Sequence, residues 1–268
     1  MARTDTLSNY LTDVASAIKT KKGDSTPIQA SSFDTEIANL PSGGGFEILE
    51  GMKFGQSQWR EVPSLILNAN GWSSLVNPKE MFYNNTEITS LPNFNLSSAT
   101  TLSSFCFSCS KLVSVGNITT GNSLTSLKEM FAYCHKLQMV GSISNTSNVT
   151  STQSMFNNCD AMTSAPQLDT SSVTDIRSMF SYCKALSTVP LYDTSSVQYM
   201  NDMFSSANSL DDTSVNNVLK MCADSNVTNV SNKTLYKLGF RSTYYPVSRI
   251  EALSNYQAFL DAGWTIGY

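Results

Sequence analysis

The sequence predicts a repeat solenoid: short parallel strands joined by turns or short helices, with a small helical module at the N-terminus and an α-containing cap at the C-terminus. Three observations predict it. The dipeptide Met-Phe recurs at Met81, Met130, Met155, Met179 and Met203, and Phe105-Cys106 fills the gap, so unit starts lie 24, 25, 25, 24 and 24 residues apart. Other positions keep the same step. The segments flanking residues 81–210 lose the period and show helical apolar spacing instead.

Within a unit, the fourth residue after the start is Asn85, Cys109, Cys134, Cys159, Cys183 or Ala207. The seventh is Ile88, Leu112, Leu137, Met162, Leu186 or Leu210. The tenth is Leu91, Val115, Val140, Ala165 or Val189, followed by Pro or Gly. A polar turn closes the unit, most plainly Asp-Thr-Ser-Ser-Val at residues 169–173 and 193–197. So short a unit cannot bury its own apolar face. Stacking aligns Met on Met and Cys on Cys into one continuous core, with strands ~4.8 Å apart. A worn copy starts at Met52, with Trp59 and Pro63 in step, so residues 46–80 read as a degenerate repeat and N-terminal cap.

Residues 1–45 form a separate module. Leu7, Tyr10, Leu11, Val14 and Ile18 fall on one helical face, a second short helix carries Phe33, Ile37 and Leu40, and Pro41 to Gly45 reads as a hinge. A module below ~40 residues rarely holds a core alone, so this stripe is expected to dock on another chain, as a homotrimer or on a partner protein. At the other end, residues 211–268 read as a cap with helices over 213–223 and 248–262, because an open stack exposes core and edge strands.

Hydrophobic residues make up 41% of the chain and charged residues only 14%, the balance being Ser, Thr and Asn. Such polarity suits disorder, but the apolar ladder argues for an ordered core. The net charge of −4 comes without any Lys/Arg cluster, which disfavours nucleic acid or an anionic membrane as partner. No stretch approaches the ~18 apolar residues of a membrane span. The first residues lack an apolar run of signal-peptide length, giving an expectation of synthesis in a bacterial cytoplasm without general secretory export.

The segments MFAYCHKL, MFNNCDAM and MFSYCKAL, each followed by a polar Ser/Thr-rich stretch, resemble the BspA-like leucine-rich repeats of bacterial surface proteins over roughly residues 52–210. That resemblance implies a leucine-rich-repeat-type solenoid used in adhesion and no enzymatic activity. Units 105 and 203 depart from the pattern and are expected to be distorted. The segment LTDVASAIKTKKGDSTPIQASSFDTEIANLPSGGG is similar to N-terminal segments of phage tail and baseplate proteins, which implies attachment to a particle.

The remaining residues that could carry chemistry have simpler readings. His135 is the sole histidine, and no nucleophile keeps company with it. The Cys109, Cys134, Cys159 and Cys183 ladder fits a buried core stack better than zinc, whose ligands must converge on one point. Asp169 and Asp193 could stack carboxylates for calcium, but Asx-type turns explain them. The surface candidates are Tyr133 and Tyr182 at one repeat position, Asn158 between them, and Tyr192 and Tyr199 nearby, since rings and amides suit glycan or protein recognition. The expectation is therefore a non-enzymatic structural or receptor-binding component of a phage tail, located in the virion, without cofactor, contacting a host surface glycan or protein. The alternative is a bacterial cell-surface adhesin of the leucine-rich repeat type; a glycan-degrading enzyme is less favoured, because it would need paired carboxylates across a cleft and the sequence marks no such pair.

Overall fold

The computed structural model describes residues 71–228 and 233–267. The N-terminal helical stripe from Leu7 to Ile18, the hinge, and the worn copy at Met52, Trp59 and Pro63 lie outside the described residues.

Five short strands occupy the first units: β1 (Ser90–Leu91), β2 (Phe94–Leu96), β3 (Ser114–Val115), β4 (Ile118–Thr120) and β5 (Met139–Val140). They form two parallel sheets, ordered β1-β3-β5 and β2-β4. The register follows the repeat: Leu91 pairs with Val115, Val115 with Val140, and Phe94 with Ile118. A third ladder of single parallel bridges links Thr101, Ser126, Ser151, Asp175 and Tyr199 in turn. The β1-β3-β5 ladder thins out after β5 for a definite reason. Gly116 and Gly141 donate their backbone N–H to Leu91 and Val115 (2.9 Å each). The next residue in this column is Pro166, which has no N–H to give. The glycines are needed on their own account, because a Cβ on Gly116 would lie 2.7 Å from the backbone nitrogen of Asn93.

The Met-Phe-x-x-Cys block is a run of tight turns, not a short helix. Each block has left-handed residues at two places. The residue before the start (Glu80, Ser104, Glu129, Ser154, Ser178, Asp202) has φ of 54–59°, and the third residue after it (Asn84, Ser108, Tyr133, Asn158, Tyr182, Ser206) has φ of 57–62°. A positive φ at the third residue is what type II turns require. Backbone donors then alternate. In unit 130, Met130, Ala132 and Cys134 bond within the unit to Leu127, Glu129 and Phe131 (3.1–3.2 Å). Glu129, Phe131 and Tyr133 bond instead to Gln153, Met155 and Asn157 of the next unit (2.7–2.9 Å). Every N–H of the block has a partner, which burial demands. Unit 105 keeps the scheme, with Cys106 donating to Met130 at 2.8 Å, so the expected distortion there is absent.

The core is a set of columns running through the units. Met130, Met155, Met179 and Met203 are buried, and Phe131, Phe156, Phe180 and Phe204 stack with centroids 5.6, 5.7 and 5.7 Å apart. Unit 105 has Phe at the Met position and Cys at the Phe position. Phe105 supplies the ring from the neighbouring column and meets Phe82 edge-on at 5.2 Å. Each buried ring contributes roughly 1.5–3 kcal/mol from burial. The extra residue of the 25-residue units falls at one corner, between Ile118 and Leu124 and between Ile143 and Val149, where other units run Leu168 to Val173. Left-handed Asn145 (φ 53°) sits at that corner.

The C-terminal cap contains α1 (Asp212–Asp224), α2 (Leu235–Leu238), α3 (Val247–Glu251) and α4 (Tyr256–Asp261). Asp211 caps α1 by accepting the Ser214 N–H at 2.7 Å, and Val215, Val218, Leu219 and Cys222 face the core. The single helix expected over 248–262 is split in two. The Asn255 N–H is donated to the Asn216 side chain at 2.9 Å, and its amide reaches the Asn216 carbonyl at 3.1 Å. These bonds tie the break to α1 and remove Asn255 from a continuous helical ladder. The α2 turn closes the stack. Lys237 and Leu238 carbonyls accept from Asp202 and Phe204 at 2.7 Å, taking the place of a following unit. Gly239 (φ 101°) makes this possible, because a Cβ there would lie 2.3 Å from the Ser205 nitrogen.

Candidate functional site

The face made by the turn blocks carries the unusual surface chemistry. Tyr133 and Tyr182 are exposed there, with Asn158 between them. All three are left-handed. Asn tolerates this conformation, but a bulky residue in it is an outlier costing roughly 1–3 kcal/mol. The position itself would favour Asn, as at Asn84 and Asn158. The two tyrosines are therefore placed at the expense of backbone energy, which points to a use for their side chains. Beside them Tyr83 and Phe107 stack nearly flat, 5.0 Å apart at 7°, and Phe107 meets Tyr133 at 5.2 Å. Tyr83 and Phe107 had gone unmarked in the sequence, since they sit one place earlier in the unit than Tyr133.

Tyr199 is exposed, but it lies on the bridge ladder opposite Asp175, and the Arg177 guanidinium covers its ring at 5.1 Å. Tyr192 corrects the expectation of a surface residue. It is 3% exposed, stacks on Phe180 at 6.3 Å, and donates its hydroxyl to the Pro166 carbonyl at 2.7 Å. Burial raises its pKa far above the usual tyrosine value. The signal was in the sequence: thirteen residues after successive starts come Phe94, Ile118, Ile143, Leu168 and Tyr192, an apolar column.

The thiol row is interior. Cys109, Cys134, Cys159 and Cys183 are fully buried, and each Sγ–H donates to a carbonyl of the preceding unit: Phe82, Cys106, Phe131 and Phe156 (3.0–3.2 Å). Burial pushes the thiols of Cys134, Cys159 and Cys183 up. At Cys109 the neighbouring thiols of Cys106 and Cys134 pull the pKa down while burial pushes it up. Its own proton, however, is committed to the Phe82 carbonyl and the site is closed to water, so desolvation keeps it a thiol. The first rung, Asn85, works differently: its side-chain oxygen accepts the backbone N–H groups of Glu87 and Ile88 within its own unit.

His135 points outward and joins a chain of side-chain contacts across three units. Asp160 bonds His135 Nδ1 at 2.7 Å and Lys184 Nζ at 2.8 Å. Partial burial raises the Asp160 pKa, but the bonds from Lys184 and His135 outweigh it and hold the carboxyl below its usual range. Asp169 and Asp193 form the turns expected of them. Each accepts from the backbone N–H and hydroxyl of the Ser two residues on (2.7–3.1 Å). Among the described residues no group of three or more His, Cys, Asp or Glu could hold a metal, and no helix is long and apolar enough to cross a membrane.

These features define a repeat protein in which donors of one unit are completed by the next unit and the turn blocks form an outward face. A family model described as "Mycoplasma protein of unknown function, DUF285" matches residues 76–187 and again 163–237, together more than half of the chain. The chain belongs to this family and is a BspA-like repeat protein. No curated protein matches it. Neither match reaches residues 1–45, on which the expectation of particle attachment rests.

Proposed function

We propose that the protein is a non-enzymatic surface-contact protein of adhesin type, a leucine-rich-repeat-like solenoid whose turn face meets a partner. The observation that carries this reading is the row Tyr133, Asn158 and Tyr182, with Asn158 half-buried and both tyrosines exposed and held in left-handed backbone that tyrosine would otherwise avoid. The family match supports it at the level of a BspA-like surface protein. Contacts repeated along a rigid face, and across several copies, add by effective concentration without any single tight site. The experiment is binding of fluorescently labelled full chain to a panel of intact bacterial and animal cells. Tyr133→Asn/Tyr182→Asn should bind at least tenfold less than wild type with an unchanged melting temperature. Equal binding by the two proteins would sink the reading. A tail-component role uses the same face but hangs on Leu7, Tyr10, Leu11, Val14 and Ile18, outside the described residues.

A further inference from the structure

Alongside the tyrosine row runs a groove of about 380 Å³, with Lys79 and Lys128 on one wall, Tyr83 and Phe107 on the other, and Glu80, Ser104 and Glu129 along the floor. The turn block repeats with the same backbone and the same bonds through units 155 and 179. Its register therefore extends the wall with Gln153 and Arg177, and the floor with Ser154 and Ser178. The row of the opposite wall continues through Ala132, Asn157 and Ser181, and the next row, Tyr133, Asn158 and Tyr182, borders the track, with Tyr133 meeting Phe107 at 5.2 Å. Five units at strand spacing make a track of roughly 20 Å along the stack.

Three observations decide what fits this track. First, its cations stand beside their own carboxylates: Lys79 with Glu80 at 3.3 Å, Lys128 with Glu129 at 3.9 Å, and Arg177 with Asp175 at 2.7 Å. A polyanion would meet the carboxylates and a polycation the ammonium groups, so neither sign of polymer is favoured. Second, backbone N–H groups of the block alternate between the unit and its neighbour. An extended peptide would find no ladder to join, which removes strand addition as a mode of recognition. Third, the groove offers carboxylate, hydroxyl and phenol beside the stacked Tyr83–Phe107 pair, and the bordering row adds the Asn158 amide and two further phenols. Carboxylates and amides bond paired hydroxyls, and ring surfaces pack against C–H faces.

We propose that this groove binds a neutral oligosaccharide lying along the stack. The inference rests on the turn face being a recognition surface and names the ligand class of that surface. Glu129 and Asn158 take the sugar hydroxyls, and Tyr133 and Tyr182 cover the apolar faces of the rings.

The test is calorimetric titration of the full chain with hexasaccharides of N-acetylglucosamine, glucose, mannose and galactose. At least one should bind saturably below millimolar concentration. Tyr133→Asn/Tyr182→Asn and Glu129→Gln should each weaken that binding at least tenfold, the first without lowering the melting temperature because Asn suits the left-handed position. Tyr244→Ala, at an exposed tyrosine of the cap, should bind as wild type. Failure of all four sugars, or undiminished binding by the double variant, overturns the inference. If no sugar binds while cell binding is still lost in the double variant, the glycan is wrong and the turn face stands. If cell binding also survives, both readings fall.

Discussion

Gly239→Ala tests the closure of the stack. The residue is left-handed at φ 101°, and a Cβ would come within 2.4 Å of both the nitrogen and the Cα of Ser205, which are backbone atoms that cannot swing aside. The left-handed conformation alone costs an Ala roughly 1–2 kcal/mol. Relieving the clash must lift α2 from the last unit, breaking the bonds from Asp202 to Lys237 and from Phe204 to Leu238. Each is worth roughly 0.5–1.5 kcal/mol net, giving about 2–5 kcal/mol in all. Gly263 supplies the control: its φ is 79°, but a Cβ there meets nothing within 4 Å, so Gly263→Ala should cost only the conformational ~1–2 kcal/mol. Urea melts of the two variants give the difference, and hydrogen exchange at Asp202 and Phe204 locates it, since a stack can open from one end. If Gly239→Ala is no more destabilising than Gly263→Ala, α2 does not close the stack in the way described.

Other outcomes follow from the same contacts. Phe156→Ala removes a fully buried ring between Phe131 and Phe180 and should cost about 3–5 kcal/mol in a urea melt. Because the folded-state pKa of Asp160 lies below its ordinary value of 3.8, its pairing stabilises the fold above that pH and is lost as pH falls through the folded value. Carboxyl NMR titration should therefore find Asp160 depressed, and Lys184→Gln should move it up. The thiols of Cys109, Cys134, Cys159 and Cys183 should react with a thiol reagent only after denaturant is added; rapid labelling of the native protein would contradict their burial. Deleting residues 1–45 should leave the melting of the repeats in place and abolish higher oligomers in sedimentation, whereas oligomers in the truncated chain would remove the assembly role from that stripe.

The sequence made the columns legible because a repeated environment selects the same residue type again and again: Met, Phe, Cys and Leu each announce one buried row. It hid what the backbone does between them. Positive φ shows in Asn84 and Asn158, but Ser108 and the two tyrosines mask it, so the block read equally well as a short helix. Tyr192 was misread through its neighbour Tyr199, although its column partners Phe94 and Leu168 are apolar, because a phenol can be interior once its hydroxyl finds a carbonyl. The groove was not legible at all. It arises from the side-by-side placement of Lys128 and Tyr83, which belong to different units and meet only after folding. The split between α3 and α4 likewise depends on Asn216, a residue 39 positions away from Asn255.

The corner that absorbs the twenty-fifth residue has an evolutionary and practical meaning. Between Ile118 and Leu124, and between Ile143 and Val149, the chain lengthens while the turn block before it and the next start after it keep their bonds. Length is therefore decoupled from register at this one place per unit. Entropy of a surface loop grows only slowly with its length, so this is where a family of such proteins can acquire new loops, and where an epitope or fluorophore-binding tag could be grafted without disturbing the units on either side.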